Sequence, residues 1–544
     1  MQSEREGGRK VDIESLIEGA KHVGNVFAWR IYGIERIYIT LKKGIKLPVG
    51  SYVFVKDEDG LPIVYQVASP SYYRYSYDFE KRLIAHGGIS RDESHTYDCI
   101  GILVGKVMED GKVQPPRYPI PPFTKVYECT NKLMEFLTTP HKAPVLKIGS
   151  EPLTGQEIRI SLWALIRQGL LISGAQGTGK TTGLLTLICR ALLTYRNLRF
   201  LILDWTGEMI VLKSLAEKGH PDDTGFKPSV KILSWDGLMK ALSYSKPELL
   251  VRLIKEDDPR VRGAPEEVLT QALIICNKEG IFPTKDNLLE IVGDVEEVNG
   301  KPKVVGGRFR TRRFSTIETV RDVIELSKRI PDEKPEDVLT LDDIVNDLKS
   351  TNIVMIDFSK TADPDIPDDF ELKKSVAETV AGHIWEVART DREFGCIVVS
   401  DEAHRICPEK GYGTLSPIWL RLATEGGRNG CPLWLVARRL SLVSKSVTTE
   451  LQQNFFCFNV EDVDRARVAE DLGESFASLL GSLPPGEAIV KSAAGFKVPG
   501  QVVHVHFDEI LKPASAEYGL EQRFPELPLS RSAKRCQGDL NREE

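Results

Sequence analysis

The sequence predicts an α/β protein in which a domain built on a parallel sheet follows a small all-β domain. Three observations predict it. Short, nearly uninterrupted apolar runs recur at residues 169–173, 198–203, 352–357, 396–400 and 432–436, with helical stretches between them. That is the texture of strands buried on both faces of a sheet. Nearer the start, the runs at 23–27, 36–40, 51–55, 63–67 and 100–107 are rich in β-branched and aromatic residues and separated by turns, with a hairpin signal, DEDG, at 57–60. Several short strands at that spacing suggest a small barrel. Finally, the segment 247–346 is rich in helix formers and charge, which reads as a helical insertion between the second and third apolar runs.

The expected organisation of the 544 residues is an N-terminal extension (1–21), a barrel (22–114), a proline-rich linker (115–145), an α/β core in two pieces (146–246 and 347–506), the helical insertion (247–346) and a polar tail (507–544). The net charge is −6, so a surface coated in positive charge is excluded and any nucleic-acid contact is confined to a groove, loop or pore. Nine scattered cysteines form no CxxC pair, which fits reduced thiols in a cytoplasmic protein better than a disulfide framework. The first ten residues lack the apolar stretch of a signal peptide, and no apolar run reaches the ~20 residues that a membrane crossing needs, so no membrane insertion is expected.

The chemistry starts at residues 174–181, GAQGTGKT, which match the phosphate-loop pattern GxxxxGK(S/T) in full. An apolar strand precedes them and a helix-forming run follows, the context that gives the pattern a mechanism. Glycines let the backbone curl so that successive N–H groups point at phosphates, at the positive end of the following helix. The expected phosphate-binding set is Gly174, Gln176, Gly177, Thr178, Gly179, Lys180, Thr181 and Thr182, with Lys180 reaching the β- and γ-phosphates of ATP and Thr181 holding Mg2+.

Hydrolysis also needs a metal-supporting carboxylate and a base. The run 396–400 ends in Asp401, Glu402, Ala403 and His404. A carboxylate at the C-terminal edge of a parallel strand adjoining the phosphate loop can support Mg2+, a role given to Asp401, and Glu402 can orient and deprotonate the attacking water. His404 reads as a packing or supporting histidine rather than a ligand. A second strand-end acid, Asp204 in DWTGE (204–208), either assists the metal or base or simply caps the next turn.

With these residues in hand, the sequence resembles the HerA/FtsK superfamily of ring-forming, DNA-pumping ATPases, and its HerA branch in particular. LDWTGEM (203–209) is similar to the family's strand-end DxHGEY element, SDEAH (400–404) to its DEAH-type acidic strand, ATEGGRN (423–429) to its REGRK segment and LLGSLPPGEAIV (479–490) to its LPPGEA strand. The resemblance implies a RecA-like ATPase core behind a small barrel. It also implies a homohexameric ring with double-stranded DNA in the central channel, a NurA-type nuclease partner in DNA-end resection and repair, and a place at the nucleoid. Arg428 matches the arginine that acts on the neighbouring subunit's nucleotide, where a guanidinium stabilises transition-state charge. Three positions depart from the pattern: Thr206 replaces the family's His, Met209 its Tyr, and Arg438 the Gln of a QRP segment that senses the γ-phosphate. An arginine contacts phosphate but does not orient water as an amide does, so Arg438 is a candidate sensor of altered chemistry.

Candidate DNA contacts are Arg308, Arg310, Arg312 and Arg313, interleaved with Phe309 and Phe314, and Lys445 in the loop after a core strand. A tyrosine cluster at positions 72, 73, 75 and 77 reads as local packing or, if exposed, a protein interface. Two other readings stay open: a DNA-transfer or secretion motor of the same superfamily, and a nucleotide-gated scaffold that assembles an effector in a defence system.

Overall fold

The computed structural model describes residues 11–27, 33–42, 44–68, 72–73, 97–140, 143–235, 237–238, 242, 247–298, 300–334, 340–361 and 366–513. The first sheet holds β1 (His22–Phe27), β2 (Arg36–Leu41), β3 (Tyr52–Lys56), β4 (Pro62–Val67), β5 (Tyr72–Tyr73), β6 (Tyr97–Val107), β7 (Val113–Gln114) and β8 (Lys125–Glu128). Six of these run β2-β1-β8-β3-β4-β6, every neighbour antiparallel, and β6 pairs back onto β2 to close a barrel. Period-two geometry sorts the side chains. Val53, Val55, Tyr65 and Val67 fill the interior, while Tyr52, Phe54 and Val64 face outward onto Leu133 and Leu137 of the helix Asn131–Thr138. The turn at 57–60 closes as expected, with the Asp57 carboxylate accepting from the Asp59 and Leu61 amides.

The expected linker 115–145 differs from the structure. It contains β8, which fills the gap between β1 and β3, and the helix that covers the barrel. Four residues just after a run of prolines are too short an alternation to read as a strand, and the prolines carry the chain into the barrel rather than away from it. Tyr75, Tyr77 and residues 514–544 lie outside the described residues, as do the side chains of Tyr72 and Tyr73.

The second sheet has eleven strands. In chain order they are β9 (Val145–Ser150), β10 (Glu157–Ser161), β11 (Leu170–Ser173), β12 (Phe200–Asp204), β13 (Val230–Ile232), and, after a separate hairpin of β14 (Asp294–Val298) and β15 (Lys301–Val305), β16 (Ile353–Asp357), β17 (Ile397–Ser400), β18 (Leu433–Ala437), β19 (Asn454–Phe458), β20 (Glu487–Ser492) and β21 (Gln501–Phe507). Their order is β10-β9-β21-β20-β19-β11-β18-β17-β12-β16-β13. From β19 to β13 all neighbours are parallel. The remaining four extend the sheet antiparallel beyond β19. The five apolar runs are β11, β12, β16, β17 and β18, fully buried in each case. One expectation is corrected: β17 does not adjoin the phosphate-loop strand, because β18 lies between β11 and β17. Apolar runs identify strands; they carry no record of which strand sits beside which.

Helices cover both faces. On one, Leu184, Leu187 and Ile188 of the helix Lys180–Thr194 pack on Ile172, Ile202 and Val436. On the other, Val376, Val380, Ile384 and Trp385 of the helix Phe370–Thr390 join Trp419 over Leu171, Leu201 and Val398. The insertion has a core of its own, including Leu250, Leu269, Leu273, Leu288, Ile317 and Val320. The helix Leu341–Ser350 straddles the expected end of the insertion at residue 346 and packs as a whole into the sheet's core through Ile344, Val345 and Leu348.

Phe458 ends β19 beneath the phosphate loop. A Cβ on Gly174 would come within 2.7 Å of the Phe458 Cβ, and one on Gly183, in the helix that follows the loop, within 2.8 Å of its Cζ, so glycine at both positions lets the loop and the helix pack closely on this residue. Phe458→Ala is expected to cost about 3–5 kcal/mol. In a thermal scan of the nucleotide-free protein, the Tm should fall by roughly 5 °C or more.

Candidate functional site

The parallel strands bring their C-terminal ends to one edge, where open α/β sheets bind ligands. The phosphate loop leaves β11 there. Its backbone is tied to neighbouring strand ends: Gly174 N–H donates to the Ala437 carbonyl (3.2 Å) and Ala175 N–H to that of Asn459 (2.7 Å). Gly177 and Gly179 sit at φ +74° and +102°, in the left-handed region, and a Cβ on Gly179 would lie 2.9 Å from the Gly486 nitrogen. Glycine is the residue that this path accepts. Thr178 is buried and ties the loop on itself, donating to the Ala175 carbonyl at 2.8 Å. Gln176 is exposed at the crest, while Thr181 and Thr182 stand half-buried in the first helical turn. The loop thus offers a row of N–H groups at the positive end of a helix of 15 residues, a ready site for a polyphosphate.

Lys180 Nζ donates to the Ala175 carbonyl at 2.6 Å, folded into the space that a phosphate chain would fill. Burial pulls its pKa down to about 8, opposed by the carboxylates of Glu402 and Glu208 and aided by the Arg438 guanidinium. Those charges come from three other strand ends, β17, β12 and β18, so the site assembles groups far apart in sequence.

Glu402 holds a left-handed backbone, φ 49° and ψ 54°, which few non-glycine residues adopt and which costs about 1–3 kcal/mol. Its Oε2 lies 3.1 Å from His404 Nδ1. Burial alone would raise its pKa, but the neighbouring His404 and the charges of Lys180 and Arg405 together hold it below the ordinary glutamate value. That favours the ionised form of Glu402, with His404 beside it. A cleft of about 490 Å³ opens beside it, bordered by Arg405, Arg438, Arg439 and Glu461. Arg439 is held by Glu461 at 2.7 Å, whereas Arg438 is exposed.

The acidic pair Asp204 and Asp401 is arranged differently from expectation. Both are buried, and burial pushes both above the ordinary aspartate range, helped by the Asp357 charge at Asp204 and by the Asp204 charge at Asp401. Asp401 Oδ1 accepts from Trp205 N–H (2.7 Å), and Oδ2 from the hydroxyl (2.5 Å) and N–H (3.2 Å) of Thr206. Asp204 accepts from the Gly207 and Met209 amides at 2.8 and 2.9 Å. Thr181, the loop hydroxyl expected to share a metal with Asp401, donates instead to Glu208 Oε2 at 2.5 Å. Glu208 was visible in the motif DWTGE, but its reach depends on the tight turn at Gly207, φ +77°, which spacing alone does not show. Thr181 and Glu208 supply hard oxygen donors side by side, a set that suits a phosphate-bridged Mg2+. No cluster of three or more His, Cys, Asp or Glu able to hold a metal on its own occurs among the described residues.

Arg428 lies elsewhere. It follows the helix Pro417–Glu425 and precedes β18, with Gly427 packed on the Arg167 backbone just before β11, so it marks the edge where the parallel strands begin. β18 has five residues; at ~3.3 Å per residue the two edges are roughly 15 Å apart, too far for Arg428 to serve its own subunit's phosphates. The basic run of the insertion is partly neutralised: Arg308 pairs with Glu279 and Arg312 with Glu267, both at 2.9 Å, and Arg310 donates to the Gly306 carbonyl. Phe309 is buried in the insertion's core, while Phe314 and Arg313 are exposed. Lys445 is exposed, 3.5 Å from Glu470. The eight described cysteines are free, and no described helix is long and apolar enough to cross a membrane.

Residues 146–386 match the model of the helicase HerA central domain; the matched segment contains the phosphate loop and Glu208 and stops short of Asp401. Among curated proteins, the chain is 24% identical over 421 residues to the probable helicase MJ1565 of Methanocaldococcus jannaschii, covering 74% of each. Solved structures with similarity include VirB4 of Thermoanaerobacter pseudethanolicus (13% identity, 69% of this chain and 98% of that chain, TM-score 0.42). Another is the plasmid coupling protein TrwB in complex with ADP and Mg2+ (14%, 69% and 96%, TM-score 0.39).

Proposed function

We propose that this chain, whose residues 146–386 match the helicase HerA central domain, is a HerA/FtsK-type, ATP-driven translocase of double-stranded DNA that works as a homohexameric ring in DNA-end processing with a NurA-type nuclease. The observation that carries the reading is the gathering of Lys180, Thr181, Glu208, Glu402 and Arg438 at one sheet edge, with Arg428 at the other. A single subunit then holds one incomplete nucleotide site and one arginine to lend.

In this mechanism the loop amides of residues 174–181 and Lys180 bind the ATP phosphates, Lys180 giving up its bond to Ala175 to do so. Glu402 accepts the proton of the attacking water, and its pair with His404 keeps the carboxylate aimed. Mg2+, held at Thr181 and a nearby carboxylate, would neutralise phosphate charge. Arg438 senses the γ-phosphate side from β18, and Arg428 enters the adjacent subunit's site, which couples hydrolysis to movement between subunits.

Steady-state hydrolysis of ATP by the full chain, with and without linear duplex DNA at moderate salt, tests the reading. Duplex is expected to raise the rate about tenfold or more, with the stimulation falling as salt rises, because phosphate contacts release counterions. Hydrolysis indifferent to duplex would overturn the stand-alone translocase and favour a partner-gated motor or a nucleotide-controlled scaffold.

A further inference from the structure

We propose that Glu208, rather than Asp401, is the carboxylate that faces Mg2+ in the nucleotide site, and that Asp401 and Asp204 are positioning residues that hold Glu208 in place. The proposal rests on reading residues 174–181 as an ATP site.

The contact pattern separates the two carboxylates. Thr181, whose hydroxyl a phosphate loop offers to the metal, already points at Glu208 Oε2, 2.5 Å away. Glu208 is half-buried and open to the loop. Asp401 is 5% exposed, and both its oxygens are taken by donors from residues 205 and 206. Turning it toward Thr181 would strand the buried N–H of Trp205, which costs more than a metal contact through solvent would return.

Asp204 grips the same loop from below, through Gly207 and Met209. Two buried carboxylates thus hold the amides of 205, 206, 207 and 209, every one in the turn except that of Glu208 itself. A third support comes from the side: a Cβ on Gly207 would collide with the hydroxyls of Thr361 and Ser359, and Ser359 is held by Asp357 through its N–H (2.8 Å) and hydroxyl (2.5 Å). Trp205 is stacked on Phe358, ring centroids 4.3 Å apart, with the Arg405 guanidinium 5.6 Å above it. So rigid a turn has one polar side chain directed at the phosphate loop, and that side chain is Glu208.

The test is the Mg2+ dependence of binding of a fluorescent ATP analogue to the full-length protein, read alongside thermal melting without nucleotide or metal. Glu208→Gln is expected to raise the Mg2+ concentration at half-effect by about tenfold or more, to bind the analogue in EDTA at least as tightly as the parent does, and to melt at the parental temperature. Asp401→Asn is expected to lower the melting temperature of the metal-free, nucleotide-free protein, as a clamp should. A parental Mg2+ midpoint in Glu208→Gln overturns the proposal, and so does a loss of melting temperature equal to that of Asp401→Asn. If Asp401→Asn does not fold, Glu208→Gln alone decides. A parent protein that binds no analogue with or without Mg2+ removes the ATP-site reading and this proposal together, whereas a binding parent with an unshifted variant removes this proposal only.

Discussion

Glu402→Gln is expected to lower the rate of ATP hydrolysis by about 10²-fold or more while ATP still binds. The size follows from what the substitution removes: a positioned general base contributes about 10²–10⁴-fold, and glutamine keeps the shape of the side chain without accepting the proton. Glu402 holds its left-handed turn through the backbone, so the exchange should not move the strand end. It does remove a negative charge that offsets the burial of Lys180 and that would repel a polyphosphate. Binding of a fluorescent ATP analogue should therefore be unchanged or tighter. Single-turnover hydrolysis together with an analogue titration separates the two effects. A rate within fivefold of the parent would exclude Glu402 as the base.

How far such roles were legible in advance depended on what kind of signal each residue gives. The phosphate loop is local: strand, glycines, lysine and helix are contiguous, and the structure reproduces them residue for residue. The buried strands β11, β12, β16, β17 and β18 were legible for the same reason, since each is a short apolar block between helices. β19 was not, because NFFCF stands close to a helix start and no acid or glycine motif marks its end. β8 was hidden by the prolines before it. Sheet order was not legible at all: β18 separates β11 from β17 through contacts that the local pattern of none of the three strands records.

The acids show the same divide more sharply. Asp204, Glu208, Asp401 and Glu402 all stand at the ends of apolar strands, and position alone marks them as candidates. What each does depends on which direction its carboxylate takes. Asp401 turns to the loop after β12, whose amides need acceptors, and Glu402 lies beside His404, where its charge reaches Lys180. A buried loop with four unpaired N–H groups is costly, so two carboxylates are absorbed in holding it. That requirement becomes visible only once β12 and β17 are known to be neighbours. The basic run at 308–313 shows the same dependence on distant neighbours: Glu279 and Glu267, from elsewhere in the insertion, pair with two of its arginines.

Arg428→Ala should be nearly as damaging as the loss of the base, and its rescue is more informative than its defect. An arginine acting on a phosphoryl transition state is worth about 10³–10⁵ in rate, so the homogeneous variant should hydrolyse ATP at a thousandth of the parental rate or less, with analogue binding intact. The geometry says whose ATP is affected. Arg428 lies at the edge where β11, β17 and β18 start, and Lys180 and Glu402 at the edge where they finish. In a head-to-tail ring each interface joins the finishing edge of one subunit to a different surface of the next. Mixing Arg428→Ala with Glu402→Gln subunits before assembly should then restore hydrolysis, because about a quarter of randomly formed interfaces place an intact Glu402 opposite an intact Arg428. Neither variant alone contains such an interface. No recovery on mixing would place Arg428 in its own subunit's site, against the roughly 15 Å that separates the two edges, and an Arg428→Ala rate close to the parental one would reduce it to a surface charge.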